Sequence, residues 1–562
     1  MIPAQFSPPV KQGEFISQIS DKEENRVEVG VLFVGAGPAS LAGAIRLSQL
    51  IATSPEIMEM LGDFPIAIVE KGKNHGNNLL AGAVVNPIAI KRLFPDLNLN
   101  ELPFLFPVER DAFYFLTPQK AVSMPIPSGM RNTGNYSASI SQLGAWLAKE
   151  AEANGVSIFT ETPATKLLIE DGRIKGVRTG DKGLDREGKP LPNFQEGTDI
   201  IAKVTVLGEG SLSHLTRTAL NYFDITRPNP QIYALGVKEL WHVPKPLNRI
   251  IHTMGWPLKG NSKFKEFGGS FIYPMGDSVV SIGLVAGLEY RDASLSVHDL
   301  LQEMKGHHFI KEILRDGHRL EDGWGAKTIP EGGYYSLPLN LNPPGGLLIG
   351  DSAGFLNVAS LKGIHYAMYS GIYAAEEIYS CLKAGREPGE KGALSGYQKA
   401  IRESFIWEDL YRTRNIRQAF SYGLIPGGAM AWLMTLTGGL FPGWRFRSRA
   451  DNEQSLFRTR RKYPKADGKI VFDKLSSVFA SGNISRDNQP VHIRIQTNVP
   501  EIIGEAWINM CPANVYEWQE DDKGNRTIKI NSTNCVHCGA IGAKGGRLTP
   551  PEGGSGPAYK QM

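Results

Sequence analysis

The sequence contains little cysteine, with four residues among 562. So few thiols exclude a small domain held together by disulfides, and they favour reduced cysteines in a protein that faces the cytosol. Three of them, Cys511, Cys535 and Cys538, lie near the C-terminus, and Cys381 stands alone. The C-terminal group therefore needs an explanation other than a disulfide framework.

A large charge of one sign is also missing. The chain has 61 basic and 57 acidic residues, which leaves a formal net charge of +4. An excess this small gives no general electrostatic argument for nucleic-acid binding. Any attraction to a membrane must therefore come from a local segment.

The N-terminal stretch MIPAQFSPPVKQGEF lacks the apolar core of a signal peptide. It also lacks the Arg-rich, acid-poor character of a transit peptide. We therefore expect neither export nor organelle import, which favours the cytoplasmic side of a prokaryotic cell. Residues 1–26 are polar and contain prolines, and we expect a loosely ordered lead-in there.

A chain of this length is too long for one hydrophobic core, so several domains are expected, some of them discontinuous. We predict an α/β plus α+β protein with a glutathione-reductase-like βαβ domain, an interleaved mainly-β domain and a ferredoxin-like C-terminal module. The expected boundaries are 27–75, 130–226 and 344–410 for the first domain, 76–129 and 227–343 for the second, 411–450 for a surface segment and 451–562 for the module.

The first βαβ unit is visible in the pattern of apolar residues. VEVGVLFVGAG is an apolar run that ends in glycines, and ASLAGAIRLSQL after it has helical spacing. A second short strand, from Ile66 to Val69, ends at the acidic Glu70 and completes a parallel unit. The same pattern also occurs in α/β proteins that bind no nucleotide.

The turn between that strand and helix resembles the G-x-G-x-x-G phosphate-binding turn, with Ser40 at the third glycine position. Gly35 permits the tight turn, and Gly37 lets the backbone approach a pyrophosphate at the helix N-terminus. Glu70 is placed to accept hydrogen bonds from ribose hydroxyls. Alone, the glycines could form a simple turn. The residues of the predicted contact are Gly35, Ala36, Gly37, Pro38, Ala39, Ser40 and Glu70.

A second contact far along the chain indicates which dinucleotide binds. In GLLIGDSAGF, Gly350 and Asp351 follow a predicted strand, so Asp351 can hold ribityl or ribose hydroxyls. This pairing predicts FAD, because a nicotinamide enzyme needs no second contact so remote in sequence. The alternative for Asp351 is a helix N-cap. Further candidate FAD contacts are Lys71, Gly82, Glu209, Gly210 and Gly363.

No charged residue occurs from Ala419 to Trp444. The segment is nearly long enough for a membrane-spanning helix, but its prolines and glycines would leave backbone groups unsatisfied in hydrocarbon. We predict a segment that dips into one leaflet, with the flanking arginines at the lipid headgroups. The alternative is a buried helical hairpin. The flanking arginines are Arg412, Arg414, Arg417, Arg445, Arg447 and Arg449.

The C-terminal cysteines have metal-ligand spacing, with Cys535 and Cys538 in a C-x-x-C pattern and Cys511 followed by proline. Cys-Pro recurs in iron–sulfur sequences, and a complete cubane takes four thiolates where three are present here. The possibilities are a cluster with an open or non-cysteine corner, a three-iron cluster, zinc with His537 as fourth ligand, or an empty module. Three buried free thiols without a metal are the structural alternative.

Taken together, these segments resemble the electron transfer flavoprotein:ubiquinone oxidoreductase family over nearly the whole chain. The resemblance rests on VGAGPASLAGAIRL, KELWHVP, HTMGWPL, GGSFIYPM, GGLLIGDSAGFLNVASLKGIH, YRTRNIR, FDKLSSVFASG, DNQPVHIRI, MCPANVYEW, INSTNCVHC and PEGGSGPAYKQM. It implies an FAD domain, a ubiquinone-binding domain and a [4Fe-4S] domain on a membrane surface. Gly268 and Gly269 match the family's quinone-contacting glycine pair, for which a β-bulge is the structural alternative.

The resemblance implies that Cys511, Cys535 and Cys538 are cluster ligands, but the family's third cysteine in C-x-x-C-x-x-C is replaced by Ile541. The function it implies is electron transfer from a reduced electron transfer flavoprotein to ubiquinone. Because no targeting signal is present, we expect a peripheral or monotopic protein on the cytoplasmic face of a prokaryotic inner membrane. Two other functions stay open. One is an NAD(P)H-dependent isoprenoid reductase or aromatic hydroxylase, because the same FAD domain serves such reactions. The other is a non-catalytic membrane scaffold.

Overall fold

The computed structural model describes residues 1–562 apart from Gln12, Ala83, Asp277, Asp521 and Lys523. The strands are β1 (Ile16–Ser17), β2 (Arg26–Val34), β3 (Ile66–Val69), β4 (Val84–Val85), β5 (Leu105–Pro107), β6 (Asp111–Leu116), β7 (Ala121–Met124), β8 (Tyr136–Ala138), β9 (Ser157–Phe159), β10 (Ala164–Glu170), β11 (Arg173–Thr179), β12 (Lys182–Leu184), β13 (Pro190–Gln195), β14 (Asp199–Leu207), β15 (Tyr233–His242), β16 (Ile250–Gly255), β17 (Gly268–Pro274), β18 (Val279–Gly287), β19 (His318–Pro330), β20 (Gly346–Leu348), β21 (Ile493–Arg494), β22 (Tyr516–Glu520), β23 (Arg526–Ile530) and β24 (Arg547–Leu548).

The α-helices are α1 (Pro38–Ile51), α2 (Pro55–Leu61), α3 (Ile88–Leu93), α4 (Ile140–Ala153), α5 (His214–Tyr222), α6 (Val297–Lys305), α7 (His308–Ile313), α8 (Gly350–Ala353), α9 (Ile364–Lys383), α10 (Ser395–Arg402), α11 (Phe405–Arg412), α12 (Ile416–Ala419), α13 (Leu424–Leu436), α14 (Lys474–Phe479) and α15 (Glu501–Met510). Several short 3₁₀ helices join them.

An eight-stranded sheet forms the first layer, in the order β1-β10-β11-β14-β2-β3-β9, with β20 pairing to β14. The strands β2, β3 and β14 pair in parallel, which confirms the predicted βαβ unit. The apolar half of β2 is buried along its length, as expected for a strand covered on both faces. The hairpin β10–β11 turns at Asp171 and Gly172, both with positive φ, as a type I′ turn requires.

A seven-stranded sheet forms the second layer, in the order β19-β15-β18-β17-β16-β6-β7. Its centre is antiparallel, and β6 joins it parallel to β16. The mainly-β character predicted for this region is therefore observed, with α6 and α7 as helical insertions. Strand β8 pairs with β4 and β5 in a small separate sheet.

The N-terminal lead-in is ordered, contrary to expectation. Strand β1 pairs in parallel with β10. The Ser20 backbone N–H donates to Asp199 Oδ2 at 2.7 Å, and the N-terminal amine of Met1 donates to the Leu456 carbonyl at 3.4 Å. Polar composition did not reveal this order, because all these partners lie far away in sequence.

The C-terminal module is not separate from the rest of the molecule. It contains α14, α15 and two short antiparallel pairs, β21–β24 and β22–β23. Its buried side chains, Trp507 and Met510 among them, belong to the same apolar core as Leu235 and Trp324 of the second sheet. The finer descriptions as glutathione-reductase-like and ferredoxin-like stay predictions.

Candidate functional site

The glycine turn lies between β2 and α1 and is closed by Glu70. Gly35 has a φ of +93°, and a Cβ there would come within 2.9 Å of the Gly208 carbonyl oxygen. Glu70 Oε2 accepts from the Ala36 N–H at 2.9 Å, and Oε1 accepts from the Gly72 N–H at 2.7 Å. Helix α1 starts at Pro38 without a side-chain cap, so its first N–H groups are available to an anionic ligand.

Ser40, at the third glycine position, is fully buried beside Gly208. Its Oγ would be 2.2 Å from a Cβ at Gly208, so the absence of a side chain there makes room for the serine. The Ser40 hydroxyl has no hydrogen-bond partner among the described residues. The departure from the glycine motif is thus accommodated by a second glycine across the turn.

The junction of β20 and α8 at Gly350 and Asp351, called the Gly350 corner below, packs directly against this glycine turn. A Cβ on Gly350 would lie 3.0 Å from the Ala39 Cβ, and one on Gly371 would lie 1.9 Å from the Ala39 carbonyl oxygen. Helices α1 and α9 therefore approach with their backbones almost in contact. The structure brings the two predicted FAD contacts together.

Asp351 occupies the second position of α8, and the N-cap of that helix is Ile349. The N-cap alternative for Asp351 is therefore wrong. Burial raises the pKa of the Asp351 carboxyl to about 6, while the Lys327 ammonium opposes the shift. Beside it, the Gly210 N–H donates to Ser352 Oγ at 3.1 Å, which joins the Gly210 loop to the same corner.

The Glu209 carboxylate is held at the start of α5. Its Oε2 accepts from the Thr216 N–H at 2.8 Å and from Thr216 Oγ1 at 2.9 Å, while Oε1 accepts from the Leu215 N–H at 3.2 Å. The carboxylate thus caps the start of α5. The FAD contact predicted for Glu209 stays a prediction.

The other predicted contacts surround the cleft from separate elements. Gly82 lies against the second sheet, where a Cβ would be 2.5 Å from the Phe271 ring. Gly363 is the N-cap of α9 and has no side-chain cap. Lys71 lies beside Glu70, and burial lowers the pKa of its ammonium while Glu70 opposes that shift. The FAD contacts predicted for these three residues stay predictions.

The glycine pair Gly268 and Gly269 starts β17, in regular antiparallel pairing with β18. The two strands pair there without a register shift, so the glycine pair does not form a β-bulge. A Cβ on Gly268 would be 2.0 Å from the Val285 carbonyl oxygen, and one on Gly269 would be 2.2 Å from that of Thr253. Only glycine therefore fits at either position.

Gly268 also lines a cleft of about 340 Å³, which includes its open mouth. The opposite wall is formed by Phe420, Gly423 and Leu424, at the start of α13. The glycine pair is thus not sealed off from the uncharged segment. The cleft runs from the second sheet to the base of that segment.

The uncharged segment is exposed, which excludes the buried-hairpin alternative. Ile425 is 85% exposed and Leu440 80% exposed, and Trp432, Leu436 and Trp444 each exceed 60%. Pro426 and the glycines after it lie in the first turns of α13, where proline is tolerated, and so they do not break the helix. No helix among the described residues is long and apolar enough to cross a membrane.

Two of the flanking arginines are not at the surface. Arg417 is buried and pairs with Glu289 and Glu331, each at 2.8 Å. Arg414 is also buried, and it stacks on Tyr411 with 4.1 Å between the guanidinium carbon and the ring centroid. The prediction that these two reach lipid headgroups is therefore wrong. Arg412, Arg445, Arg447 and Arg449 keep accessible side chains.

The three C-terminal cysteines line one apolar cavity. The Val515 N–H donates to Cys511 Sγ at 3.4 Å. Backbone N–H groups also point at the other two sulfurs, from His537 to Cys535 and from Ala540 to Cys538. Burial nevertheless raises the pKa of all three thiols, that of Cys538 to about 12. A metal that binds thiolates would remove this cost, so the donor set fits a metal group.

Hydrogen bonds attach the cysteine loop to β19 of the second sheet. The Thr328 N–H donates to the Cys538 carbonyl at 2.9 Å, and the Thr328 and Ser211 hydroxyls are 3.1 Å apart. Lys327 Nζ donates to the His537 carbonyl at 3.3 Å. Because Ser211 follows Gly210, the cysteine cavity and the predicted FAD contacts are neighbours.

Comparison with known proteins gives full-length relatives. The electron transfer flavoprotein-ubiquinone oxidoreductase of Pseudomonas aeruginosa is 37% identical and covers 96% of this chain and 100% of its own length. The mitochondrial proteins of that name from Arabidopsis thaliana and Homo sapiens are 38% and 37% identical and cover 97% and 95% of this chain, and 86% and 89% of their own lengths. This chain belongs to the electron transfer flavoprotein-ubiquinone oxidoreductase family.

Two models of this family match individual regions. The ubiquinone-binding model matches residues 233–329, which include the glycine pair, and the 4Fe-4S model matches residues 468–560, which include the three cysteines. The predicted resemblance and the FAD and iron–sulfur cofactors are thereby confirmed. A solved geranylgeranyl bacteriochlorophyll reductase-like protein from Thermoplasma acidophilum shares the fold, with a TM-score of 0.54 at 17% identity over 77% of this chain and 93% of its own.

Several residues of this oxidoreductase site were not predicted. Lys238 is 1% exposed, and its Nζ donates to the Ala81 carbonyl at 3.1 Å. Lys327 and Thr328 join the cysteine loop to β19. Gly208 and Gly371 let Ser40 and the Ala39 backbone approach closely around the glycine turn. The two lysines had a detectable signal, because each interrupts a strand of otherwise buried residues, where an unpaired charge is rare.

Proposed function

We propose that this chain passes electrons from a reduced electron transfer flavoprotein to ubiquinone while it rests on a membrane surface. The observation that carries the proposal is the cleft that joins Gly268 to Leu424. It connects the ubiquinone-binding region to a helix whose apolar side chains face outward. A lipid-soluble substrate could enter there without leaving an apolar environment.

The chain's own residues account for the binding of both cofactors. FAD would be held by the glycine turn with Glu70 and by the Gly350–Asp351 corner, and it would supply one- and two-electron transfer when bound. The three thiolates would hold the iron–sulfur cluster beside it. The buried ammonium of Lys327 lies between these sites and offsets the negative charge of Asp351.

The exposed segment supports a monotopic position on the membrane. Helix α13 has 13 residues and a helix rises 1.5 Å per residue, so it is about 20 Å long, shorter than the hydrocarbon core. It would therefore lie within one leaflet, with Arg445, Arg447 and Arg449 near the headgroups. We place it on the cytoplasmic face of a prokaryotic inner membrane.

The test separates the two halves of the reaction in the purified full chain. Reduced electron transfer flavoprotein is expected to bleach the bound flavin, and added ubiquinone is expected to restore its colour. Leu424→Trp, which fills the cleft, should slow the return of colour without changing the bleaching. The matched control is Leu436→Trp, because Leu436 lies on the same helix but is 63% exposed and does not line the cleft.

Two outcomes would contradict the proposal. Bleaching by NADPH without the donor flavoprotein would favour the isoprenoid reductase or hydroxylase function. Protein purified without bound flavin, and unable to take it up, would favour a scaffold.

A further inference from the structure

The cysteine cavity has three thiols and one apolar side chain at the position of a fourth ligand. Ile541 lines the same cavity as Cys511, Cys535 and Cys538 and is 4% exposed. It lies in the 3₁₀ helix Ala540–Ala543, one turn beyond Cys538. An isoleucine side chain has no lone pair, so it cannot bind a metal.

The local packing keeps Ile541 in place. A Cβ on Gly546 would be 2.5 Å from Ile541 Cγ1 and 2.8 Å from Ile495 Cγ2, so both aliphatic side chains pack closely against Gly546. The Lys544 and Gly546 N–H groups donate to the Ile541 carbonyl at 3.0 and 2.9 Å. The position is therefore rigid and apolar.

The three thiols are not gathered as closely as a single zinc ion requires. In the part of the chain that the structure describes, the three cysteines do not form a group with all donor atoms within 4.8 Å of one another. Tetrahedral zinc with Zn–S bonds of 2.3 Å requires sulfur atoms about 3.8 Å apart. The cavity is wider than one zinc ion needs.

The other candidate ligands are two histidines close to Cys535 and one tyrosine in the cavity wall. His492 and His537 approach Cys535, and each has a buried ring nitrogen without a partner among the described residues. Neither lines the cavity, and a Cβ on Gly556 would be 2.8 Å from His537 Nδ1, so that nitrogen faces the Gly556 backbone. The Tyr516 side chain does line the cavity, but a neutral phenol is not a usual cluster ligand.

We propose that the three thiolates hold a [4Fe-4S] cluster in which the iron facing Ile541 has no protein ligand. This iron would bind a small external ligand such as water, hydroxide, cyanide or a low-molecular-weight thiol. The inference rests on the iron–sulfur part of the proposed function. Release of Fe²⁺ from [4Fe-4S]²⁺ leaves [3Fe-4S]⁰, so charge balances without an oxidant.

The experiment follows iron in the whole chain, purified without oxygen. A chelator should remove about a quarter of the cluster iron, and ⁵⁷Fe²⁺ should refill one site that Mössbauer spectroscopy distinguishes from the other three. Mild oxidation after chelation should give the paramagnetic signal of a three-iron cluster. Ile541→Cys supplies the fourth thiolate and should abolish both the loss and the exchange.

Matched variants exclude the alternatives. Ile541→Val keeps the cavity apolar and should lose and exchange iron as the wild type does. This result would show that the new thiolate of Ile541→Cys protects the iron, and not the removal of isoleucine as such. Tyr516→Phe and His537→Gln should leave the other three irons and the exchange of the fourth unchanged.

Three results would overturn the proposal. The first is wild-type iron that resists the chelator as well as the iron of Ile541→Cys. The second is loss of the fourth iron only in Tyr516→Phe or His537→Gln. The third is zinc in place of iron and sulfide. Because none of these measurements uses the donor flavoprotein or ubiquinone, failure of electron transfer would leave this inference standing.

Discussion

The exposed apolar side chains of the uncharged segment, in α13 and just after it, allow a quantitative test of membrane binding. Ile425 is 85% exposed and Leu440 80% exposed. Burying a whole Leu or Ile side chain contributes about 1.5–3 kcal/mol, so insertion of these two would contribute about 2.5–5 kcal/mol together. Ile425→Ser with Leu440→Ser should therefore lower the partition coefficient onto phospholipid vesicles at least about 50-fold.

Vesicle co-sedimentation of the purified chain measures this partition coefficient. The melting temperature should barely change, because neither side chain contributes to the core. Met60→Ser is the matched control, since Met60 is 46% exposed on α2, outside the segment. Equal sedimentation of the double variant and the wild type would refute the membrane position of α13, and so would a wild type that does not sediment with vesicles.

Three further predictions concern the interior. Gly371→Ala places a Cβ 1.9 Å from the Ala39 carbonyl oxygen, so we expect the free energy of unfolding to fall by about 1–3 kcal/mol and the flavin content to fall with it. Gly428→Ala is the control, because no atom lies within 4 Å of its Cβ, and it should change neither quantity. Calorimetry measures the stability and absorbance the flavin content. Burial lowers the pKa of Lys238 to about 7, so the folded chain releases that proton before the unfolded chain does. The free energy of unfolding should therefore gain up to about 1.4 kcal/mol per pH unit from pH 7 towards 10.5, and Lys238→Met should lack this gain in urea titrations. Glu239 accepts from Lys305 at 2.6 Å and also from Trp241 and Gln302 inside the core, so Glu239→Leu should lower the free energy of unfolding by about 3–5 kcal/mol. A second change, Lys305→Met, should recover part of this loss, because Trp241 and Gln302 still lack their acceptor; a double variant no more stable than Glu239→Leu would contradict this.

The sequence predicted the elements that depend on local signals. The glycine turn, the strand that ends at Glu70 and the turn at Asp171–Gly172 each follow from neighbouring residues. The pairing of the Gly350 corner with the glycine turn was also predictable, because the carboxyl ends of strands in one parallel sheet meet at one edge.

The features that were predicted wrongly depend on distant partners. Arg417 looked like a headgroup contact because its two carboxylate partners, Glu289 and Glu331, lie far away in sequence. Proline and glycine in α13 suggested a broken backbone, but their effect depends on where the helix starts.

The bond between Thr328 and Cys538 determines how electrons could cross the molecule. It anchors the metal-binding loop to β19 of the second sheet, and the contact between the Thr328 and Ser211 hydroxyls joins that strand to the Gly210 loop beside the predicted FAD contacts. The tunnelling distance between the two redox sites is then fixed by folding and not by a swinging domain. Internal transfer should therefore be insensitive to solvent viscosity, and only the encounters with the protein donor and the lipid-soluble acceptor should depend on diffusion.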